Sequence, residues 1–539
     1  MDNPESNERF KVLGFIPQKE NVYNKLLPYA DKLDQESTKL FLDIKTNLIK
    51  SVLAREMRPG CALWTSRLNK YMKIYGLKFS KDDHICLIRL YYDLLTQPNL
   101  EPTRINKFAA TLSFLLKKDY LLSQDDLQLD WKPLYDLCTR LVQQSKNDIG
   151  MYRYSSGLET ALENLIRCAR IYFPVTATQE ILDEFRPQLC PYSNSEIASA
   201  IEYLEIFLPI VVKPEEADLG YKLWFEELMN LWEVCHNANI WESHLATLMA
   251  RLAKYNIGYI NWEPYIPIMF VRFLRTLHLP VGYKQKQSSK MYKIDIHAMT
   301  MWIVCTFGGG NDTAFIHLEK FMQTLESYCH PANTGRWTPK IREFLKKISF
   351  YFVQRVHYER YRTPSWDYRA NPDYILTDAE IDRFVAILKP CIEQAIFMKQ
   401  GVQDIVLTLN YLACLRPNIL IPITLDKLYS SMDSLTEPHK LTSSIVCVTA
   451  VSRYMVQGKR NGFPEGPTNV LPLLNALLPG RAYYLIFMWI ESNSLEFTRM
   501  ELSDNNFSDV KMQYDYFCIR PEETVQFCYE SGYGIEYFW

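Results

Sequence analysis

The sequence predicts an all-α fold built by repeating helix pairs, and three observations carry that prediction. Apolar residues recur at helical spacing from near Asn21 to about Leu478, with few segments alternating at period two. Proline outnumbers glycine, 28 to 19, which suits many short helices opened by Pro rather than a Gly-rich barrel or sandwich. The stretch from Thr377 to Arg416 spans roughly 40 residues and then restarts, a period expected of HEAT-type repeats. The predicted class is therefore a HEAT/armadillo-like helical-repeat solenoid, in which each pair buries its apolar face against its neighbours.

Taken in order, residues 1–13 read as a polar leader and residues 14–480 as the solenoid. A helical stripe runs from Asn21 to Lys50, and Leu63, Leu68, Met72 and Tyr75 mark the next. Ser80-Lys81-Asp82-Asp83 has the composition of a helix start. Pro102 to Lys118 and Leu134 to Gln144 continue the scheme, and Ser155-Ser156-Gly157 is expected to interrupt it. Glu180 to Arg186 and Glu196 to Leu208 form a pair. Trp224, Leu228, Leu231 and Trp232 share a face, as do Leu245, Leu248, Met249 and Leu252. Pro264, Pro267, Phe270, Val271, Leu274 and Leu277 mark another helix. Gly282 to Lys293 and Pro364 to Asp373 read as connections.

The clearest pattern lies between Thr377 and Gly458. Thr377-Asp378-Ala379-Glu380 fits a capping box, followed by the stripe Ile381, Phe384, Val385, Leu388, Ile392, Ile396. Val402 to Ala413 is the second helix, Pro417 to Met432 the third, and Pro438 opens the fourth, which Gly458 would end. After Gly480 the character changes. Residues 481–539 hold the aromatic run Tyr483 to Ile490 and then an acidic, aromatic tail, a segment of uncertain structure that could cap the array or expose an apolar patch.

Composition excludes several classes. An apolar fraction of 48% and an aromatic fraction of 14% describe a folded chain. A net charge of -2 argues against a globally basic nucleic-acid binder, so no direct sequence-specific nucleic-acid contact is expected. The 13 Cys are dispersed, without C-x-x-C or zinc-finger spacing, as in reduced core thiols. Met1-Asp2-Asn3-Pro4-Glu5 is not a signal peptide and no apolar run approaches a membrane span, so a soluble intracellular protein is expected.

No catalytic motif is present: there is no G-x-S-x-G, H-E-x-x-H or G-x-x-x-x-G-K-[ST]. Gly308-Gly309-Gly310 reads as a flexible turn, lacking the Lys and Ser/Thr of a phosphate cradle. Cys235-His236 and Cys329-His330 are adjacent in sequence and so diverge on a helix, which favours core Cys beside surface His over a nucleophile and its base. No cofactor, metal or catalytic residue is assigned.

The most basic stretch is Asn333 to Arg362. It holds Arg336, Lys340, Arg342, Lys346, Lys347, Arg355, Arg360 and Arg362 against Glu343 and Glu359, with Trp337, Phe350, Tyr351, Tyr358 and Tyr361 interleaved. Two readings stand: a solvated helix face backed by core aromatics, or a polyanion contact through Arg336, Lys340, Lys346, Lys347, Arg360 and Arg362.

Longer wording narrows the class. Gly14-Phe15-Ile16-Pro17-Gln18-Lys19-Glu20-Asn21-Val22-Tyr23-Asn24-Lys25-Leu26-Leu27-Pro28-Tyr29-Ala30 closely resembles the family of large HEAT-repeat proteasome activators, the proteasome activator complex subunit 4 family. Tyr75 to His84, Gly220 to Leu228, Asn256 to Tyr265, Gly335-Arg336-Trp337, His357 to Tyr361, Leu435 to His439 and Phe463 to Thr468 continue the resemblance. It implies a dome of HEAT-like repeats that caps the core proteasome and opens its gate without ATP or ubiquitin. It also implies a regulator with no active site of its own, links to acetylated-histone degradation, DNA repair and sperm development, and residence in nucleus and cytoplasm. Inositol phosphates are family ligands, which the resemblance does not map onto residues here; the basic stretch is the charge-based candidate.

The family chain is several times longer, and its acetyl-lysine recognition region and C-terminal hydrophobic–Tyr–any motif have no counterpart here, where the last residues are Tyr537-Phe538-Trp539. Weak association with the core particle and poor activation are therefore expected of this chain alone. The alternative is an importin-like HEAT transport receptor or a generic scaffold, against which the near-neutral charge and the quoted wording argue.

Overall fold

The computed structural model describes residues 30–473, apart from 78, 99, 118–120, 148–155, 236–240, 281–293, 311, 363–365, 367, 399–400, 434–436, 458–466 and 471. The leader, the N-terminal part of the first stripe, the Gly282 to Lys293 connection, Gly458 and all of 481–539 lie outside the described residues.

The described chain is an all-α helical-repeat solenoid divided into two compact units. The first, whose described residues lie within 30–259 and 366–369, holds α1 (Ala30–Leu53), α2 (Ala62–Tyr75), α3 (Lys81–Thr96), α4 (Pro102–Leu116), α5 (Lys132–Asn147), α6 (Ser156–Ala169), α7 (Ala177–Phe185), α8 (Asn194–Phe207), α9 (Phe225–Val234) and α10 (Trp241–Tyr255). The even helices form one row, α2 on α4, α4 on α6, α6 on α8 and α8 on α10, while odd helices cross-brace them, as α3 does α4 and α7 does α8. Each layer therefore closes only when the next repeat arrives, the physical signature of a helical array.

Sequence chemistry sets the starts. Ser80 caps α3 by accepting from the Asp83 amide at 3.1 Å, with Asp82 and Asp83 in the favourable first turn. Pro102 opens α4, where its missing N–H leaves no bond unmade. Of the expected break at Ser155-Ser156-Gly157, Ser155 lies outside the described residues, while Ser156 and Gly157 form the first turn of α6, so the helix starts within that stretch. Leu63, expected in the core stripe of α2, is 46% exposed; Thr65, Leu68, Tyr71 and Met72 take the buried face. Trp131, Tyr135, Phe185, Tyr203 and Phe207 meet as an aromatic cluster around α5, α7 and α8.

The second unit, whose described residues lie within 260–362 and 370–473, holds α11 (Ile266–Thr276), α12 (Ile296–Cys305), α13 (Thr313–Glu326), α14 (Thr338–Arg360), α15 (Asp378–Ala395), α16 (Val402–Leu415), α17 (Pro417–Met432) and α18 (Pro438–Gln457). Here α12, α14, α16 and α18 make one row and α11, α13 and α15 the other, with α17 packed on α16 and α18. Phe352 of α14 and Phe384 of α15 stack face to face at 3.7 Å, and Phe307 contacts both. Val271, expected on the buried face of α11, is 56% exposed, because Met269, Phe270 and Phe273 already fill that face.

Two connections differ from expectation. Gly308, Gly309 and Gly310 all have positive φ, and a Cβ at Gly308 would lie 2.5 Å from the Tyr374 carbonyl oxygen, so this is a tight, packed turn rather than a loose one. The Pro364 to Asp373 connection contains β2 (Arg369–Ala370), paired with β1 (Asn256–Ile257), and runs into a tight turn at Pro372–Tyr374.

Candidate functional site

The basic stretch folds mainly into α14. Pro339 opens the helix, and Ile341, Phe344, Leu345, Ile348, Phe352, Val353 and Val356 bury one side of it against α12 and α16. The helix is 23 residues long, about 34 Å at 1.5 Å per residue, so cations at its two ends cannot share one small ligand.

Each sequence-predicted cation has its own setting. Arg336 is exposed ahead of the helix. Lys340 Nζ donates to the Thr276 carbonyl at 2.7 Å, a cation on the C-terminal carbonyls of α11. Lys346 pairs with Asp404 in the first turn of α16, and Arg342 approaches the same carboxylate at 3.8 Å. Gly401, at φ 70°, leaves room for Arg342, since a Cβ there would lie 2.2 Å from the guanidinium carbon. Lys347 Nζ lies 5.9 Å from the Phe350 ring centre, and the Arg362 guanidinium 4.7 Å from that of Tyr358. Arg360 donates to Asp378 at 2.9 Å and to the Leu376 carbonyl at 2.6 Å.

The structure thus brings Lys346 to Arg342, and Arg360 to Arg416, each pair around one carboxylate; it does not gather the six predicted residues. Asp378 receives Arg416 at 2.9 Å as well, and its carboxyl is held below the usual range by the hydrogen bonds from Arg360 and Arg416. The acceptors Asp378 and Asp404 escaped the charge-run reading because they lie 18 to 58 residues from their partners.

Arg355 is enclosed rather than solvated. It donates to Glu359 at 2.6 Å, to the Val304 and Phe307 carbonyls at 2.7 and 3.0 Å, and to the Tyr374 carbonyl at 2.7 Å. Those bonds tie α14 to the end of α12, the glycine turn and the loop before α15.

The first unit has its own buried charge centre. Glu205 of α8, 1% exposed, accepts from Arg167 at 3.0 Å and pairs with Arg251, while Arg170 donates to the Glu205 carbonyl at 2.6 Å. Burial pushes the Glu205 carboxyl up, and Arg251, Arg170 and Arg167 more than offset it, leaving it below the usual range. Burial, with Arg251 beside it, pulls Arg170 down to about 9. This charge cluster stitches α6, α8 and α10 together.

Cys329 is fully buried and His330 exposed, as the adjacent pair predicts. The Cys391 thiol is pushed up by its hydrogen bond with Cys329 and by burial, opposite to what a reactive thiolate needs. Among the described residues no group of three or more His, Cys, Asp or Glu is placed to hold a metal, and no helix is long and apolar enough to cross a membrane.

Rows of helices packed each on the next within each unit, with charged residues bridging neighbouring repeats, define a helical-repeat protein. Residues 318–481 match the family model described as "Proteasome activator complex subunit 4, mid HEAT repeats region". Proteasome activator complex subunit 4B of Danio rerio is 43% identical over 475 residues, 88% of this chain and 26% of that protein. Proteasome activator complex subunit 4 of Homo sapiens is 43% identical over 469 residues, 87% of this chain and 25% of that protein. Proteasome activator subunit 4 of Arabidopsis thaliana is 27% identical over 372 residues. The chain is thus a relative of proteasome activator complex subunit 4, and it spans about a quarter of the length of the curated relatives it matches.

Proposed function

We propose that the chain is a regulator of the core proteasome particle: it binds the end of that particle and promotes ATP- and ubiquitin-independent degradation of peptides and proteins, acetylated histones among them. The single observation that supports this reading is 43% identity sustained over 88% of the chain to a proteasome activator subunit. The helical array supports it in kind, since extended repeat surfaces bind other proteins rather than carry out bond chemistry. The same reading places the protein in nucleus and cytoplasm and gives it a share in DNA repair and spermatogenesis.

Co-sedimentation of the purified 539-residue chain with core proteasome, with fluorogenic peptide hydrolysis read in the same fractions, tests the proposal. Weak co-migration with little or no rise in hydrolysis is the expected result, and robust stimulation would count against that expectation. A chain that is helical by circular dichroism yet stays out of the proteasome fractions would sink it. Inositol phosphate contact in the basic stretch, at Arg336 and Lys347, for which no carboxylate or carbonyl partner is found among the described residues, is a further part of the reading. Calorimetric titration with inositol hexakisphosphate, showing heat that Arg336→Glu/Lys347→Glu abolishes, would support it, and unchanged heat would refute it.

A further inference from the structure

We propose that the groove between α2 and α4 docks an acidic protein segment carrying apolar anchors. Neither helix contains an Asp or Glu. α2 supplies Arg67, Lys70 and Lys73, and α4 is followed by exposed Lys117. Arg67, Lys70, Lys73 and Lys117 form no ion pair among the described residues. Glu101, just before α4, is already taken by Arg58 at 3.1 Å and Arg104 at 3.3 Å.

The apolar part is equally specific. Leu63, Arg67, Lys70 and Ile74 follow one line on the outer face of α2, and all four are exposed, Leu63 at 46% and Ile74 at 49%. The Arg67 guanidinium lies 4.4 Å from the Trp64 ring centre, which holds the side chain against the helix surface. Lys107 Nζ donates to the Ala62 carbonyl at 2.8 Å, and Asn69 Nδ2 to Thr111 Oγ1 at 2.9 Å. These two bridges tie α2 to α4 side by side and set a parallel register. In the register of the Asn69–Thr111 bond, Phe114, 37% exposed on α4, lies level with Met72, within about one turn of Lys73 and Ile74.

Charge complementarity selects the occupant. Three cations on acid-free α2, with Lys117 just past α4, none of them in an ion pair among the described residues, raise the local potential and draw in carboxylates. Exposed Leu63, Ile74 and Phe114 gain only if the ligand also carries apolar groups. A polyphosphate backbone offers none, and a bilayer would have to cover Arg67 and Lys70 between the apolar ends. A protein segment with two apolar residues about 16 Å apart and carboxylates between them meets both demands.

The test is fluorescence anisotropy with the full 539-residue chain and a fluorescein-labelled amphipathic helix. That probe has two leucines spaced as Leu63 and Ile74 are, with glutamates between them. Saturable binding at low salt is expected, weakened at least tenfold by Lys70→Glu/Lys73→Glu, and weakened also by Phe114→Ser and by replacing the peptide's glutamates with glutamine. Lys70→Gln/Lys73→Gln serves as the milder variant, and circular dichroism melting confirms that every variant is folded. No saturable binding to the folded chain, or binding indifferent to both Lys70/Lys73 variants, would overturn the proposal. So would tighter binding of duplex DNA or phosphatidylserine vesicles together with indifference to Phe114→Ser.

Discussion

At Arg355 a single guanidinium, 3% exposed, satisfies three backbone carbonyls and the buried Glu359 carboxylate, which itself accepts from the Leu376 amide at 3.0 Å. Replacing one partner of a buried ion pair strands the other, a cost of about 3–5 kcal/mol. Arg355→Leu should therefore lower the thermal midpoint sharply and expose the amides around Val304 to Phe307 to hydrogen exchange. Arg355→Leu/Glu359→Leu should cost clearly less than the sum of the single changes, because no charge is left buried. Equal additivity in that double-mutant cycle would show that the pair is not coupled. His84 gives the pH counterpart. It is 2% exposed, with Nε2 3.1 Å from the Leu115 carbonyl, and burial holds its pKa below the ordinary value. His278 and His357 are lowered in the same direction by burial. A depressed folded-state pKa means that the unfolded chain binds the proton first, so stability is full above the unfolded value and falls as pH drops below it. The melting temperature should decline from pH 7.5 toward pH 5.5, and His84→Gln should flatten part of that decline; a pH-independent midpoint over that range would contradict the assignment. Neither residue's role was legible in the sequence. A charge run shows how many cations there are, not which of them the next repeat will enclose, and Arg355 and exposed Arg336 look alike until α12 and the glycine turn close over one of them.

Among the elements, α15 is almost wholly legible in the sequence. Its stripe passes straight through Pro390, which lies inside the helix, because Ile381, Phe384, Val385, Leu388, Cys391 and Ile392 are all buried and hold the turns together on either side. The start was legible for a local reason: the Thr377 side chain accepts from the Glu380 amide, and Glu380 returns to the Thr377 amide at 2.8 Å. Local hydrogen-bond chemistry of this kind needs no knowledge of the rest of the fold, as with Ser80 on α3. Thr377→Ala should cost roughly 1 kcal/mol, within the range for cap removal, and should speed exchange in the first turn of α15 while sparing its second half. Loss of protection throughout the helix would mean that the cap is not a local device. What failed at this scale failed for non-local reasons. Val271 sits in the apolar pattern of α11, yet Met269, Phe270 and Phe273 take the buried face and leave it 56% exposed. The β1–β2 ladder is too short for any alternation to announce it, since its pairing joins residues more than a hundred positions apart.

For the molecule as a whole, the repeat period and the helical stripes carried the architecture, while the candidate site was only partly readable, because its acceptors come from neighbouring repeats. The same layout governs how the array should fail. In a stack where each helix pair contacts chiefly the next, stability is close to a sum of repeat terms and nearest-neighbour interfaces. A core lesion should therefore melt its own layer and the adjoining ones before the rest of the unit. The sharpest place to apply one is the stacked pair Phe352–Phe384, fully buried between α14 and α15 and touched by Phe307. Phe384→Ala removes a large buried ring at a cost of about 3–5 kcal/mol. Hydrogen exchange followed by mass spectrometry should then show protection falling in α14, α15 and the Phe307 turn, with a smaller change in α16. The α17–α18 pair, whose own interface of Leu428, Ile445, Val448 and other buried residues is untouched, should keep its protection. Denaturant unfolding of the variant should broaden or split as that segment leaves the cooperative transition. If protection instead falls uniformly through α11 to α18, the second unit behaves as one cooperative core, and the summed-repeat account of its stability is wrong.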